Sequence, residues 1–363
     1  MQSRNLWQAT RADNTNNELI ADKVRVINKL IISRTDGIGD VVLTLPLLGA
    51  IKKLHPSVHI VFLGRKYTSD VIKKCEYVDE FIDFNEIERE VLSQQIDSIK
   101  SIQADAIFHI FPNKDIARIA KYAGMPLRVG TKSRWYHWLY CNKLLNISRK
   151  NSVLHEAQLN LLFTQVFENR KVYELIDIPS YYGFSRINIH ANLLQYIDNS
   201  KFNLIIHPKS KGSSREWNLD NYNELIHLLP QDRYKIFITG TAAEKSIIQS
   251  KVAINQPNVV DLVGDTTLSE LIEFISHCDG LVATSTGTLH IAAMAGIHTI
   301  GLYPPIRPLF PQRWAPIGVN ARYLVNGSEK CNLCKNNKIC HCINSITPTE
   351  IANVLNNLKI IHK

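Results

Sequence analysis

The sequence predicts an α/β protein of two doubly wound parallel-sheet domains facing a central cleft. Three observations carry that expectation: a length of 363 residues, short uninterrupted apolar runs alternating with stretches of helical spacing, and a break in that rhythm near the middle of the chain. A chain this long exceeds what one hydrophobic core usually serves. Apolar residues make up 45% and charged residues 21%, the balance of an ordinary globular protein. Strands buried on both faces read as continuous apolar runs rather than alternations, which favours parallel sheets covered by helices.

In order, the first half offers candidate strands at 29–34 (KLIISR), 58–64, 80–84, 105–111 and 128–130. Helical stretches fill the gaps: VVLTLPLLGAIKKL, IEREVLSQQIDSIKSI and KDIARIAKYAG. Pro46 inside the first of these predicts a kink or a late helix start, because proline lacks the amide donor and clashes with the preceding turn. Residues 146–200 break the rhythm with one amphipathic helix, HEAQLNLLFTQVF, and a polar stretch around Pro179 and Gly183. The pattern then resumes with strands at 202–208, 234–240, 259–264, 280–284 and 298–303. The expected division is a tail over 1–25, a first domain over 26–190, a second over 191–345 and a C-terminal helix over 346–363.

The formal net charge is +9, which favours anionic partners: nucleic acid, a lipid surface or a phosphorylated substrate. No recognised nucleic-acid motif accompanies the charge, so a nucleic-acid partner is not expected. The start, MQSRNLWQATRADNTNNELIADK, does not read as a secretory signal, and no run reaches the ~18 apolar residues of a membrane span. A cytoplasmic protein is therefore expected. Of seven cysteines, Cys331, Cys334, Cys340 and Cys342 crowd into one segment and form a candidate structural zinc site.

Three segments carry chemistry. In RTDGIGDVVLTLPLL a strand runs into a loop with Gly37 and Gly39, which suit a tight turn or positive φ, and then into a helix starting near Asp40. Asp40 reads either as an N-cap carboxylate or as a general base at the carboxyl end of the sheet. In LIIHPKSKGSSREWNLDNYNELI a small-residue loop reads either as a phosphate-binding turn, with Lys211 and Arg215 supplying positive charge and Trp217 a packing anchor, or as a solvated basic turn. No G-x-x-x-x-G-K-[ST] occurs, so a P-loop NTPase is not expected. In GLVATSTGTLHIAAMAGIHTIGLY a strand leads through Ser285, Thr286 and Gly287 into a helix whose free amides and positive dipole end suit phosphate. His290, half a turn in, reads as a phosphate donor or as a buried histidine bonded to backbone.

These segments, DGIGDVVLTLPLLGAIKKLHP, HPKSKGSSREW and ATSTGTLHIAAMAG, resemble the three signature regions of glycosyltransferase family nine, the bacterial heptosyltransferases of lipopolysaccharide assembly. The resemblance spans residues 29–355. It implies a GT-B fold of two Rossmann-like domains and inverting, metal-independent transfer with no catalytic cofactor. The implied donor is a nucleotide diphosphate sugar, ADP-heptose in this family, and the implied acceptor an anionic glycolipid of the lipopolysaccharide core or lipid A-Kdo type. Residue by residue it implies Asp40 as base. Ser210, Lys211, Arg215, Thr286, Gly287 and His290 fall on the donor phosphates, Ser285 on the sugar side of the donor site, and Glu244 on the nucleoside, where it reads equally as a helix first-turn acid. Gly37, Gly39, Lys132 and Arg134 are assigned to the acceptor side. Ser285 stands where characterised ADP-heptose enzymes have Asp, and Arg215 where they often have Lys, which leaves the donor open.

TKSRWYHWLY (131–140) mixes basic and aromatic residues and suits lipid headgroups, an acidic saccharide or an aromatic core. Contact with the inner membrane from the cytoplasmic side is the matching expectation. The C-terminal helix is expected to return to the first domain. Rival readings are a sugar-nucleotide epimerase on the same fold and a non-enzymatic anionic-ligand binding protein.

Overall fold

The computed structural model describes residues 27–150, 152–184, 191–327 and 340–361. Among them lie two six-stranded, wholly parallel sheets. The first comprises β1 (Lys29–Ser33), β2 (His59–Gly64), β3 (Glu80–Asp83), β4 (Ala106–His109), β5 (Leu127–Thr131) and β6 (Lys143–Leu145), in the order β3-β2-β1-β4-β5-β6. The second comprises β7 (Phe202–His207), β8 (Tyr234–Ile238), β9 (Val259–Asp261), β10 (Gly280–Thr284), β11 (His298–Tyr303) and β12 (Ala321–Val325), in the order β12-β11-β10-β7-β8-β9. Counted within each half, the order is the same doubly wound 3-2-1-4-5-6. The direction of winding therefore reverses between β1 and β4 and again between β7 and β10, where ligands bind in open α/β sheets.

All ten strands expected from apolar runs are present. Of the four edge strands, β3 and β9 were expected and β6 and β12 escaped the sequence: β6 has only three residues, and β12 places Arg322 and an exposed Tyr323 in its middle, so neither shows a continuous apolar run. Central strands are buried on both faces: Leu30, Ile31 and Ile32 in β1 and Leu204, Ile205 and Ile206 in β7 have no exposed surface. One apolar cluster extends from the first sheet through to β10 and helix Gly287–Met294 of the second half, so the halves share packing beside the cleft.

Pro46 acts as expected. One helix, Ile38–Val42, ends at Leu43, and a second, Leu45–Leu54, starts with proline in its first turn. The mid-chain helix Glu156–Leu161 is not amphipathic in place, since all six residues are buried. Its polar side chains are satisfied inside the protein: Gln158 donates to the Tyr173 carbonyl (2.8 Å) and Asn160 to the Leu43 carbonyl (3.0 Å).

The C-terminal helix does not return to the first half. Helix Pro348–Asn356 packs on helix Leu219–Leu228 of the second. Ile351 and Leu355 join Trp217, Tyr222 and Tyr234 in one buried cluster. The Trp217 indole donates to the Ile346 carbonyl at 2.9 Å, and the apolar face of this helix is used up locally.

Candidate active site

The cleft between the halves encloses about 790 Å³. Its first wall is the turn after β1. The helix Ile38–Val42 begins at Gly37, whose φ of −67° is one any residue adopts, so neither a positive φ nor a side-chain cap explains this sequence. Asp40 is not the N-cap expected as one reading. It sits in the first turn, and its carboxylate receives the Arg34 guanidinium at 2.6 Å. Gly39 is required by close approach: a Cβ there would stand 2.8 Å from the His290 ring. Gly287 likewise would place a Cβ 2.8 Å from Ile38. Two helix amino ends, one from each half, are thus pressed together with glycine at the contact, and both direct free amides and positive dipole toward the cleft.

Behind Asp40 lies a buried charge network that the sequence did not disclose. Arg34 is 2% exposed. It bonds Asp36 (2.7 Å), Asp40 (2.6 Å) and Glu156 (3.2 Å), and donates to Asn160 (3.1 Å). Glu156 also receives Arg149 (2.9 Å) and Arg313, which crosses from the second half. Burial would raise the Glu156 pKa, but Arg149, Arg34 and Arg313 outweigh it and hold it at about 2. For Asp40 the balance is opposite. Burial, with Asp36 and Glu156 nearby, outweighs Arg34 and raises the carboxyl to about 6. Near neutral pH it is therefore ionised yet basic enough to accept a proton, as a general base requires.

The second wall comes from five loops, those that follow β7 to β11. After β7, the loop 208–217 carries Lys211 and Gly212 at positive φ (50° and 81°). Glu216, absent from the sequence reading, staples this loop by accepting from the Ser210 amide (2.9 Å), the Ser210 hydroxyl (3.0 Å) and the Lys209 ammonium. The Ser210 side chain is therefore occupied in holding the loop. Trp217, 1% exposed, anchors its far end. After β10, Thr286 caps helix Gly287–Met294 by accepting from the Leu289 amide at 3.3 Å, leaving the first amides of the helix to the cleft. Glu244 closes a capping box with Thr241 (2.8 Å) while its residue lines the cleft beside Thr266, Thr267 and Leu268.

His290 is 3% exposed, and burial, with His155 nearby, lowers its pKa to about 3. Burial also lowers His207, which reaches Thr239 (2.9 Å) and Thr288 (3.4 Å), to about 4. Both rings are neutral at physiological pH, so each could meet an anion only as an N–H donor.

Of the residues singled out in the sequence, Gly37, Gly39, Asp40, Ser210, Lys211, Glu244, Ser285, Thr286, Gly287 and His290 all line this cleft. Arg215, Lys132 and Arg134 do not. Lys209, whose side chain pairs with Glu216, is a second cation of the wall, and Tyr67, His207 and Trp314 line it without having been foreseen. The zinc expectation is left open: Cys331 and Cys334 lie outside the described residues, while Cys340 is buried and Cys342 partly so.

The sequence model of Glycosyltransferase family 9 (heptosyltransferase) matches residues 97–342. The chain is 24% identical over 287 residues to the lipopolysaccharide core heptosyltransferase OpsX of Haemophilus influenzae, covering 77% of this chain and 80% of that protein. Among solved structures it is similar to E. coli ADP-heptose lps heptosyltransferase II (TM-score 0.71, 17% identity, 91% of this chain and 97% of that one). It is also similar to a family 9 glycosyl transferase from Veillonella parvula (TM-score 0.73, 18% identity, 91% and 96%). These matches identify the two facing halves as the GT-B fold.

Proposed function

Because the chain belongs to glycosyltransferase family 9 it is a glycosyltransferase, and we propose that it transfers heptose from ADP-heptose to an anionic glycolipid of the lipopolysaccharide core, with inversion and without a metal ion. The observation that carries this reading is the placement of Asp40. Among the described residues it is the one carboxylate that the first half contributes to the cleft lining, and it lies in the turn whose Ile38 and Gly39 meet Gly287 of the second half.

In this mechanism an acceptor hydroxyl oxygen attacks the anomeric carbon of the donor. The bond from that carbon to the diphosphate oxygen breaks on the opposite face, and the nucleoside diphosphate leaves with the electron pair. Asp40 takes the hydroxyl proton. The leaving group's charge is met by the amides at Gly287 and Thr288, by the loop 208–217 and by Lys211, fixed donors that need no reorganisation as charge develops. Glu244 and the turn at Thr266 to Leu268 face the nucleoside. The names of the relatives support heptose and the lipopolysaccharide core. Ser285 removes a carboxylate from the sugar side, so the donor is the point to test first. The cysteine segment has no part in this chemistry, and a zinc bound there would be structural.

The Asp40→Asn enzyme should lose about 10²–10⁴-fold in turnover and bind donor with nearly unchanged affinity by calorimetry. Turnover within threefold of the parent would remove Asp40 from the role. Thermal shifts with ADP-heptose against UDP- and GDP-sugars assign the donor, since bound ligand raises stability with concentration over Kd. Activity that survives exhaustive chelation supports the metal-free route, and activity restored only by added divalent ion contradicts it.

A further inference from the structure

The segment 131–140 plays no part in the cleft, and the structure removes the reading that its aromatics are core. Helix Trp135–Tyr140 leaves Trp135 65%, Trp138 61% and Leu139 54% exposed. Beside it, helix Lys114–Tyr122 ends in Tyr122 at 55%. A protein surface rarely displays two indoles together without a use for them.

These side chains are held firmly. His137, on the opposite face of the short helix, is fully buried and accepts from the Thr131 amide at 2.9 Å. The Trp138 indole donates to the Lys132 carbonyl (3.1 Å), and the Lys121 ammonium to the Leu139 carbonyl (2.9 Å). Lys114 lies 5.3 Å over the Trp135 ring. The patch is a built feature rather than a frayed turn.

Its charge is one-sided. Residues 111–145 carry seven Lys and Arg against Asp115 alone, a net +6 of the chain's +9. Asp115 is itself paired with Arg118 at 3.3 Å. The segment that holds the two exposed indoles thus carries a net charge equal to two-thirds of the chain's excess. Tryptophan favours the headgroup level of a bilayer, where its ring is half in hydrocarbon and its N–H half in water, and Lys and Arg are drawn to anionic lipid. Among the described residues no helix is long and apolar enough to cross a membrane, so such a contact would lie on the surface.

The position suits that use. The helix follows β5, two strands from β1, or about 10 Å along the sheet, on the same carboxyl edge from which the Asp40 turn emerges. We infer that Trp135, Trp138 and Leu139, ringed by Lys114, Lys121 and Lys132, form a docking face for an anionic phospholipid bilayer, which the cleft then overhangs. This face is independent of the donor assignment, because lipid binding can be measured with neither donor nor acceptor present.

The test is flotation of the full chain with vesicles of phosphatidylcholine alone or with about 30 mol% phosphatidylglycerol. The parent should bind the anionic vesicles at least ~10-fold more tightly, with a blue shift of tryptophan emission and weakening in high salt. Trp135→Ser with Trp138→Ser, and separately Lys114→Glu with Lys121→Glu, should each reduce that affinity by about 10-fold or more. Both pairs should keep the parent's melting temperature and donor binding, since these side chains are exposed and outside the cleft. The charge pair carries the test should the tryptophan pair fail to fold. Equal binding to both vesicle types, or unchanged binding by both variant pairs, would overturn the inference. So would retention on an acidic polypeptide without vesicle binding, or a drop from dimer to monomer in the tryptophan variant, which would reassign the face to a protein partner or a second copy.

Discussion

Replacing Arg34 by Gln should shift the pH–rate profile of this enzyme to the alkaline side. With Asp40 raised to about 6, kcat/KM should rise through that pH and level off near neutrality. Arg34 holds the Asp40 pKa down, bonding its carboxylate at 2.6 Å; burial, Asp36 and Glu156 all push it up. Two charges centred ~4 Å apart at an effective dielectric of ~20 interact by about 4 kcal/mol, an upper bound of roughly 3 pKa units. Asp40 is 27% exposed, and solvent screening brings the expected rise toward the lower part of the ~1–3 unit range for such pairs. A rise of about 1–1.5 units, to an apparent pKa of roughly 7–7.5, leaves about 25–50% of Asp40 ionised at pH 7 against ~90% in the parent, a loss of about two- to fourfold that is recovered above roughly pH 8.5. The assay is kcat/KM across pH with saturating donor. Recovery at high pH separates this effect from misplacement, which no pH would repair. Removing Arg34 also strips a partner from Glu156, which keeps Arg149 and Arg313, so melting temperature is measured alongside; Arg34→Lys supplies a milder shift of the same sign if the Gln enzyme is unstable. A deficit constant with pH, or a profile displaced to the acid side, would refute the reasoning.

Asp40 should also cost stability. Its folded pKa is raised from 3.8 to about 6, so the native state holds a proton that the unfolded chain has lost, and stability falls as pH rises through that window by on the order of 3 kcal/mol. Denaturant titrations of Asp40→Asn at pH 5 and pH 8 should show that slope reduced. Gly39→Ala should cost roughly 1–3 kcal/mol and lower activity, because its methyl would meet the His290 ring at 2.8 Å; adding His290→Ala should restore much of the melting temperature, and a Gly39→Ala enzyme indistinguishable from the parent would show that the two helix ends are not in tight contact. Trp217→Ala should destabilise by about 3–5 kcal/mol and raise the donor Kd, since the fully packed ring ties the loop 208–217 to the C-terminal segment through Ile346; urea unfolding and calorimetry read the two effects separately.

The sequence by itself determined the architecture and most of the cleft lining. Continuous apolar runs such as FNLIIH and GLVAT can be satisfied only by burial on both faces, and a small-residue turn at the carboxyl end of such a strand can only face the ligand edge of the sheet. Asp40, Lys211, Thr286 and Gly287 were legible for that reason. The edge strands β6 and β12 were not, because β6 spans three residues and β12 sets Arg322 and an exposed Tyr323 among its apolar positions, whereas the edges β3 and β9 keep a readable apolar run.

Tertiary structure decided the electrostatics and the reasons for the glycines. Glu156 is 122 residues from Arg34 and 157 from Arg313, and no local pattern reveals a pair made by folding. The pKa of Asp40 depends on that network and on burial, neither of which a chain displays along its length. Gly39 read as a residue for an unusual turn, yet its backbone is ordinary and the requirement comes from His290, 251 positions away on the opposite wall. Arg215, Lys132 and Arg134 have the right charge in the right segments but fall outside the cleft, because a loop's composition sets what it can bind while the packing of its anchors sets where each side chain ends.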